Sequence, residues 1–310
     1  MADDAIKAIQ GEFPGMELLL NEPLKNHTTF KIGGTVSAMI FPESTTHAIE
    51  LYDLLYEYGI TPLIIGNGSN ILASDNKLDL IVINTSKLKN ISLIDSDELI
   101  SKDFGAVKAD AGVLLSELAV FACENNLTGL EFAHGIPGTA GGAVVMNAGA
   151  YGGEMKDVVF ETTAYAPKVG SFKLTAADND FSYRHSRFSN SNDILLSVVF
   201  KLEKSNKNDI RSKMDDLSIR RRESQPLEFA SGGSTFKRPK EGYSAALIEQ
   251  AGLKGYKIGG AQVSEKHSGF IVNTGNATFS DVIAIIEHIK ETVFKQTGIQ
   301  LEPEVKIIGE

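Results

Sequence analysis

The sequence predicts a two-domain chain of mixed helices and strands, an α+β fold, and three observations carry that expectation. Stretches with apolar residues at helical spacing recur along the chain, and short apolar runs of strand length lie between them. A polar, charged run, "EKSNKNDIRSKMDDLSIRRRES" (203–224), interrupts this pattern and marks a boundary at 203/204. The 310 residues leave room for two domains, with 42% hydrophobic and 23% charged residues, the balance of a soluble chain with a real core. A net charge of −10 argues against a general nucleic-acid or anionic-membrane binder, while leaving room for a local basic pocket. One cysteine, Cys123, excludes a disulfide framework and a cysteine-rich zinc centre, and no metal site is expected. "MADDAIKAIQGEFPG" carries no apolar signal core and no apolar run reaches spanning length, so the expected compartment is the cytoplasm, without a membrane partner.

After a polar start, "NHTTFKIGGTVSAMIFPES" reads as short strands broken by Gly33-Gly34. "STTHAIELYDLLYEYG" reads as a helix: a Ser/Thr cap, then Ala48, Leu51, Leu55 and Tyr58 on one face, and Gly59 as the stop. "TPLIIGNGSN" is a buried strand ending in a polar turn. "VLLSELAVFACENN" is a second helix, with Leu115, Leu118, Ala119 and Ala122 on one face and Cys123 as a small buried residue. "DILLSVVFKLEK" alternates through Leu196, Val198, Phe200 and Leu202, a strand pattern. Ile210, Met214 and Leu217 suggest a surface helix opening the second domain, and Arg220-Arg221-Arg222 suits a solvated face near its end. Val282, Ile285, Ile286, Ile289 and Val293 form an apolar helical stripe that belongs to a core, and "PEVKIIG" is a closing strand.

Two glycine-rich loops carry the chemistry. "GIPGTAGGAVVMNAGAYGGE" (135–154) has seven glycines, and neither a helix nor a regular strand tolerates so many without a reason. "GNGSN" (66–70) opens like a dinucleotide fingerprint, but Ile71 stands where the third glycine belongs, and no Gly-Lys-Ser/Thr occurs. The ordinary dinucleotide fold is therefore disfavoured. What remains is a concavity of backbone N–H groups with the Ser69 and Asn70 side chains, suited to a pyrophosphate. Residues Gly138, Thr139, Gly141, Gly142, Asn147 and Gly149 would clear space for a flat cofactor, with Val145 as an apolar contact. The two loops, including Gly66, Asn67 and Gly68, read as two walls around one extended dinucleotide.

"IIGNGSNIL", "GIPGTAGGAVVMNAGAYGGE", "FSYRHSRF", "GGSTFKRP" and "LEPEVKIIG" occur in this order. Together they resemble the UDP-N-acetylenolpyruvoylglucosamine reductase (UDP-N-acetylmuramate dehydrogenase) family, in its shorter second type, from about Asn26 onward. The resemblance implies the PCMH-type, vanillyl-alcohol-oxidase-like flavin fold, with non-covalent FAD held between two α+β subdomains and a further domain over the substrate. It places FAD binding in 1–203, with strand 302–310 returning to that domain or to the active site, and substrate binding in 204–301.

The activity so implied is reduction of UDP-N-acetylglucosamine enolpyruvate by NADPH in peptidoglycan precursor synthesis. Hydride passes through flavin N5 to C3, and a proton is added at C2. By resemblance, Arg184 of "YRHSRF" binds the substrate carboxylate, Ser234 donates the proton, and Glu304 acts protonated or through a positioning hydrogen bond. Arg187 and Thr235, beside them in sequence, are expected to matter less. Lys237 and Arg238 suit the diphosphate, while Tyr151 and His267 match positions near substrate. Another flavin oxidoreductase of this fold, or a catalytically silent nucleotide-sugar binder, stays open as an alternative.

Overall fold

The computed structural model describes residues 2–95 and 99–309. The chain divides into two units, each assembled from separated segments: Met1–Leu20, Ala38–Asn67 and Leu80–Arg220 in the first, Asn21–Ser37, Gly68–Asp79 and Arg221–Glu310 in the second. A single boundary at 203/204 is how a linear reading expresses an organisation in which the chain changes unit several times.

In the first unit, helix α1 (Ala2–Glu12) buries Ala5, Ile6 and Ile9. The polar start is thus helical, because three apolar residues spaced by three and four suffice to make one buried face. Helix α2 (Thr45–Glu57) is capped by Ser44, whose hydroxyl accepts from the His47 N–H at 3.1 Å. It buries Ala48, Leu51 and Leu55 and ends before Gly59, whose φ is +69°. Strand Leu63–Ile65 follows and pairs in parallel with Leu78–Asn84. Helix α3 (Leu115–Glu124) buries the expected face together with Cys123.

The main sheet is antiparallel and runs Gly170–Thr175, Val159–Ala166, Ile194–Lys204, Phe104–Asp110, Ile91–Ile94. Its central strand is buried at every position from Ile194 to Phe200, so the expected alternation is only one row of a strand covered on both sides. Ile194 and Leu196 pack with residues of α1 and α2, whereas Val198, Phe200 and Leu202 pack with α3. A covered central strand is apolar throughout rather than two-faced.

The glycine-rich stretch contains a short helix, α4 (Ala140–Val145), which the glycine content argued against. Helix α5 (Lys207–Ser224) was expected to open the second domain. Its Ile210 and Met214 are instead buried in the core that holds α3, and the helix belongs to the first unit through Arg220. Two apolar residues four apart announce a buried face without naming the core that receives it. Arg220 lies on the solvated side, paired with Asp216 at 2.9 Å.

In the second unit, strands Ala230–Ser234, Phe270–Asn273, Ala261–Val263 and Lys257–Ile258 form an antiparallel sheet. Helix α6 (Ser244–Gln250) contributes Leu247 and Ile248 to its core. Helix α7 (Phe279–Thr297) has a Thr278–Asp281 capping box and ends at Gly298 with φ +74°. Its whole expected stripe is buried with Phe236, Val263 and Ile271. The closing strand Lys306–Ile308 pairs in parallel with Ile71–Ala73. Residues 28–34 form no strand; a Cβ on Gly34 would fall 2.0 Å from the Asn76 carbonyl oxygen, so the chain turns there through a close backbone contact. Among the described residues, no helix is long and apolar enough to cross a membrane, and no three His, Cys, Asp or Glu side chains group to hold a metal.

An ion pair with one buried partner, Glu131, fastens α5. Glu131 is 2% exposed and accepts from the Gly129 N–H at 3.0 Å and the Thr128 hydroxyl, with Lys213 Nζ at 3.4 Å. Burial alone would raise its carboxyl, but the Thr128 and backbone hydrogen bonds and the lysine outweigh it and hold it below its ordinary 4.5. A carboxyl depressed by folding contributes stability above its unfolded value, and that contribution is lost as pH falls through the folded value. The stability difference between wild type and Glu131→Gln, from urea unfolding, should therefore be largest at neutral pH and shrink steadily below about pH 4.5. A difference independent of pH would show that the charge does not fasten the helix.

Candidate active site

In the first unit the glycine-rich stretch is held by backbone contacts. The Gly141 N–H donates to the Ala111 carbonyl at 2.8 Å, and a Cβ on Gly141 would lie 2.8 Å from the Ala111 Cβ. Gly138 gives its carbonyl to the Leu115 N–H at 3.0 Å. Thr139 caps α4, accepting from the Gly142 N–H at 3.3 Å, and its hydroxyl would sit 2.3 Å from a Cβ on Gly66. Asn67 Nδ2 donates to the Pro137 carbonyl at 2.7 Å. The starts of the two loops are thus tied together.

The individual glycines have different reasons. Gly141, Gly149 and Gly153 face other parts of the protein: Ala111, the Gly153–Glu154 segment and the Phe132 ring respectively. Gly142 is exposed, and a Cβ there would meet only the Thr139 hydroxyl, at 3.3 Å. Gly142 is therefore a position whose smallness the protein's own packing does not require.

Past α4 the chain makes a hairpin, Gly149–Ala150 against Gly153–Glu154. Its two turn residues, Tyr151 and Gly152, have φ of +53° and +89°, the signs a type I′ turn demands. A tyrosine held in that conformation, with its side chain exposed at the tip, is strained. Arg184 occupies a second tight turn, closed by the Ser182–His185 bridge, with φ +54°. Its Nη2 donates to the Gly149 carbonyl at 3.2 Å, and its guanidinium lies 5.2 Å from the Tyr183 ring centre. Arg187 instead packs against the Phe172 and Phe188 rings and pairs with Asp193 at 3.6 Å. Buried Ser186 and Asn147 hold the Arg184 turn: Ser186 Oγ donates to the Val145 carbonyl at 3.0 Å, and Asn147 Nδ2 to the Ser182 carbonyl at 2.9 Å. Serine 189 adds a bond to the same Val145 carbonyl at 2.9 Å.

In the second unit, a register shift between Ser231 and Ser234 puts a bulge at Gly232-Gly233, where Gly233 has φ +78°. Bulges re-aim the next side chain, here that of Ser234. Ser234 is half-buried, and its hydroxyl makes no hydrogen bond among the described residues. Thr235 is the opposite case: 0% exposed, its hydroxyl accepts from the Ile271 N–H at 3.1 Å. Segment 302–304 runs beside 235–237, with the Glu304 N–H donating to the Thr235 carbonyl at 2.7 Å and the Lys237 N–H to the Glu302 carbonyl at 2.9 Å. Ser234 and half-buried Glu304 thereby lie on neighbouring segments.

The remaining part of "GNGSN" belongs with this ladder. Gly68 is required because a Cβ would lie 2.1 Å from the His27 carbonyl oxygen. Asn70 Nδ2 donates to the Glu304 carbonyl at 3.0 Å, so this side chain positions the Glu304 backbone. Ser69 is half-buried and its hydroxyl makes no hydrogen bond among the described residues. Lys237 pairs with Glu302, and Arg238 stacks 4.1 Å from the Tyr243 ring centre. His267 Nδ1 accepts from the Gly269 N–H at 3.2 Å, and its ring meets Phe270 edge-on. Burial pushes its imidazole below the ordinary histidine range, so it is neutral at pH 7 with the proton on Nε2. The positioning roles of Asn70 and Asn147 had no sequence signal of their own, since both lie inside motifs that read as cofactor contacts.

Residues 225–308 match the family described as "UDP-N-acetylenolpyruvoylglucosamine reductase, C-terminal domain", and residues 36–169 that described as "FAD binding domain". The chain is 47% identical over 294 residues to the UDP-N-acetylenolpyruvoylglucosamine reductase of Caldanaerobacter subterraneus subsp. tengcongensis, covering 95% of this chain and 94% of the relative. It is 45% identical to that of Agathobacter rectalis, with 98% of each covered. A crystal structure of the Thermus caldophilus reductase superimposes with a TM-score of 0.77 at 28% identity, over 95% of this chain and 99% of that one. Alkyldihydroxyacetonephosphate synthase shares the fold alone, with a TM-score of 0.50 at 16% identity over 65% of this chain and 40% of that one. With this identity sustained over nearly the whole length of both chains, the protein belongs to the UDP-N-acetylenolpyruvoylglucosamine reductase family, FAD-dependent enzymes with the PCMH-type α+β flavin fold.

Proposed function

We propose that the chain reduces UDP-N-acetylglucosamine enolpyruvate to UDP-N-acetylmuramate in the cytoplasm, with NADPH as donor, for peptidoglycan precursor synthesis. The observation that carries this reading is the contrast at 234/235: a half-buried hydroxyl without a partner among the described residues beside a buried hydroxyl that has one. Residues 1–203 hold FAD, strand 302–310 serves that part or the active site, and 204–301 bind the substrate. Exposed Gly142, with open space beyond the Thr139 hydroxyl, fits a flat group lying against backbone. Bound FAD, once reduced by NADPH, would supply the hydride that C3 of the enolpyruvyl group receives.

The protein's groups handle charge and the proton. Arg184 binds the substrate carboxylate through its guanidinium, which stays cationic as charge builds there. Ser234 then gives its hydroxyl proton to C2, a strongly basic carbon, and recovers a proton from water. Glu304, on the neighbouring segment, adds a positioning hydrogen bond. Lys237 and Arg238 anchor the diphosphate, a role that requires Lys237 to exchange its Glu302 partner for phosphate oxygens. Tyr151 and neutral His267 supply further substrate contacts.

The purified protein should be yellow, with FAD released into the supernatant on denaturation. Gly142→Leu should fold normally, because a side chain there meets almost no protein, yet lose most of its flavin. Full flavin occupancy in that variant would remove Gly142 from the cofactor site.

Ser234→Ala should leave NADPH-driven flavin reduction within about twofold, while turnover falls by at least the 10²–10⁴-fold typical of a lost general acid. Ser234→Cys should recover part of this, and deuterium incorporation at C2 reports the step directly. Thr235→Ala should retain both half-reactions but lose about 1–3 kcal/mol of stability, since it strands the buried Ile271 N–H. Normal turnover in Ser234→Ala would refute the proton-donor role.

A further inference from the structure

Asn147 lies within the glycine-rich stretch, where a cofactor contact is the expected role, but its side chain is otherwise engaged. It is 0% exposed, with φ +41°. An asparagine amide has two N–H donors. One goes to Glu154 Oε2 at 2.7 Å and the other to the Ser182 carbonyl at 2.9 Å. Its Oδ1 accepts from the Lys156 N–H at 2.9 Å. No donor is left for a ligand.

The Ser182 bond has a direct consequence. Ser182 opens the two-residue turn that carries Arg184, and it pairs with His185 through N–H to carbonyl bonds of 3.0 and 3.2 Å. Arg184 has φ +54°, a conformation that a non-glycine residue keeps only when its surroundings over-determine it. Three constraints do so: Asn147 on the Ser182 carbonyl, Ser186 and Ser189 on the Val145 carbonyl, and the Gly149 carbonyl on the guanidinium itself. All four bonds are anchored at Val145, Asn147 and Gly149, so one short segment sets both the turn and the direction of the arginine. Glu154 bonds Asn147 through Oε2, and its other oxygen pairs with Lys156, which fixes the asparagine in turn.

We propose that Asn147 is a positioning residue for Arg184, holding the 182–185 turn so that the guanidinium meets the substrate carboxylate. This rests on the role given to Arg184 above. It predicts that Asn147 matters to the substrate-dependent step and acts only through the arginine.

The test uses the flavin-loaded enzyme in four forms: wild type, Asn147→Ala, Arg184→Ala and the double variant. Stopped-flow absorbance follows each half-reaction, and calorimetry measures binding of the enolpyruvyl substrate to the oxidised enzyme without NADPH. Asn147→Ala should slow substrate-driven flavin reoxidation by about 10–100-fold and weaken substrate binding, with NADPH-driven reduction within about twofold of wild type. In the Arg184→Ala background the same substitution should cost less than about twofold, because its effect has already been removed.

Equal losses in both half-reactions, or a full multiplicative loss in the double variant, would overturn the proposal. An Arg184→Ala enzyme with normal reoxidation and binding would instead refute the role of Arg184, and the positioning role with it. Should Asn147→Ala not fold, the pair Asn147→Asp with Glu154→Gln restores a donor between 147 and 154 but leaves the Ser182 carbonyl without one. That pair should load flavin and be reduced normally, yet reoxidise slowly. If it also fails to fold, or if it reoxidises at the wild-type rate, the positioning role is wrong.

Discussion

The close approach of Gly141 to Ala111 is the constraint on which the first unit's site depends. Two backbones meet there with a 2.8 Å hydrogen bond and no space for a Cβ. This fixes where α4 begins, and hence where the Thr139 hydroxyl stands. Thr139 in turn excludes any side chain from Gly66, while Asn67 bonds across to Pro137. Downstream, the same fixed segment supplies the Val145 and Gly149 carbonyls and the Asn147 amide that hold the Arg184 turn. A glycine chosen for packing thus determines the position of an arginine more than forty residues later.

The second unit arrives at its reactive groups by other means. A bulge at Gly232-Gly233 changes the aim of the strand, and the ladder of 235–237 with 302–304 joins distant parts of the sequence. Asn70 adds a side-chain bond to the Glu304 carbonyl, and strand Lys306–Ile308 continues the contact by pairing with Ile71–Ala73. Thr235 anchors the arrangement from inside, bonding the Ile271 N–H in a fully buried position. Ser234 can keep a hydroxyl unengaged among the described residues because its neighbour carries the structural bond. Rigid support beneath the hydroxyl is what the proton-donor role proposed for Ser234 requires.

The helices and strands with strong periodicity were legible in the sequence, among them α2 with its cap and the apolar stripes of α2, α3 and α7. Their information is local, because period, cap and stop lie within twenty residues. Weaker elements were not legible. The opening α1 has only three buried residues among charged ones, and α4 contains two glycines whose cost is offset by the contact they permit. Helix α5 was visible, but its destination was not, since Ile210 and Met214 look the same whichever core they enter.

The site divides along the same line. By itself the sequence determined the chemistry on offer: an arginine in a turn motif, a serine after two glycines, a glutamate in a closing strand, and glycines too numerous for ordinary structure. Residue type and order suffice for that, because chemical capacity belongs to the side chain and family motifs preserve its order. Only the tertiary structure decided which glycines serve packing and which leaves open space, and which of two adjacent hydroxyls is already bonded. It also decided that Asn70 and Asn147 support the chain rather than present free amides to a ligand face. The physical reason is that a hydrogen-bonding group has few partners, and distant segments compete for them only once the chain has folded.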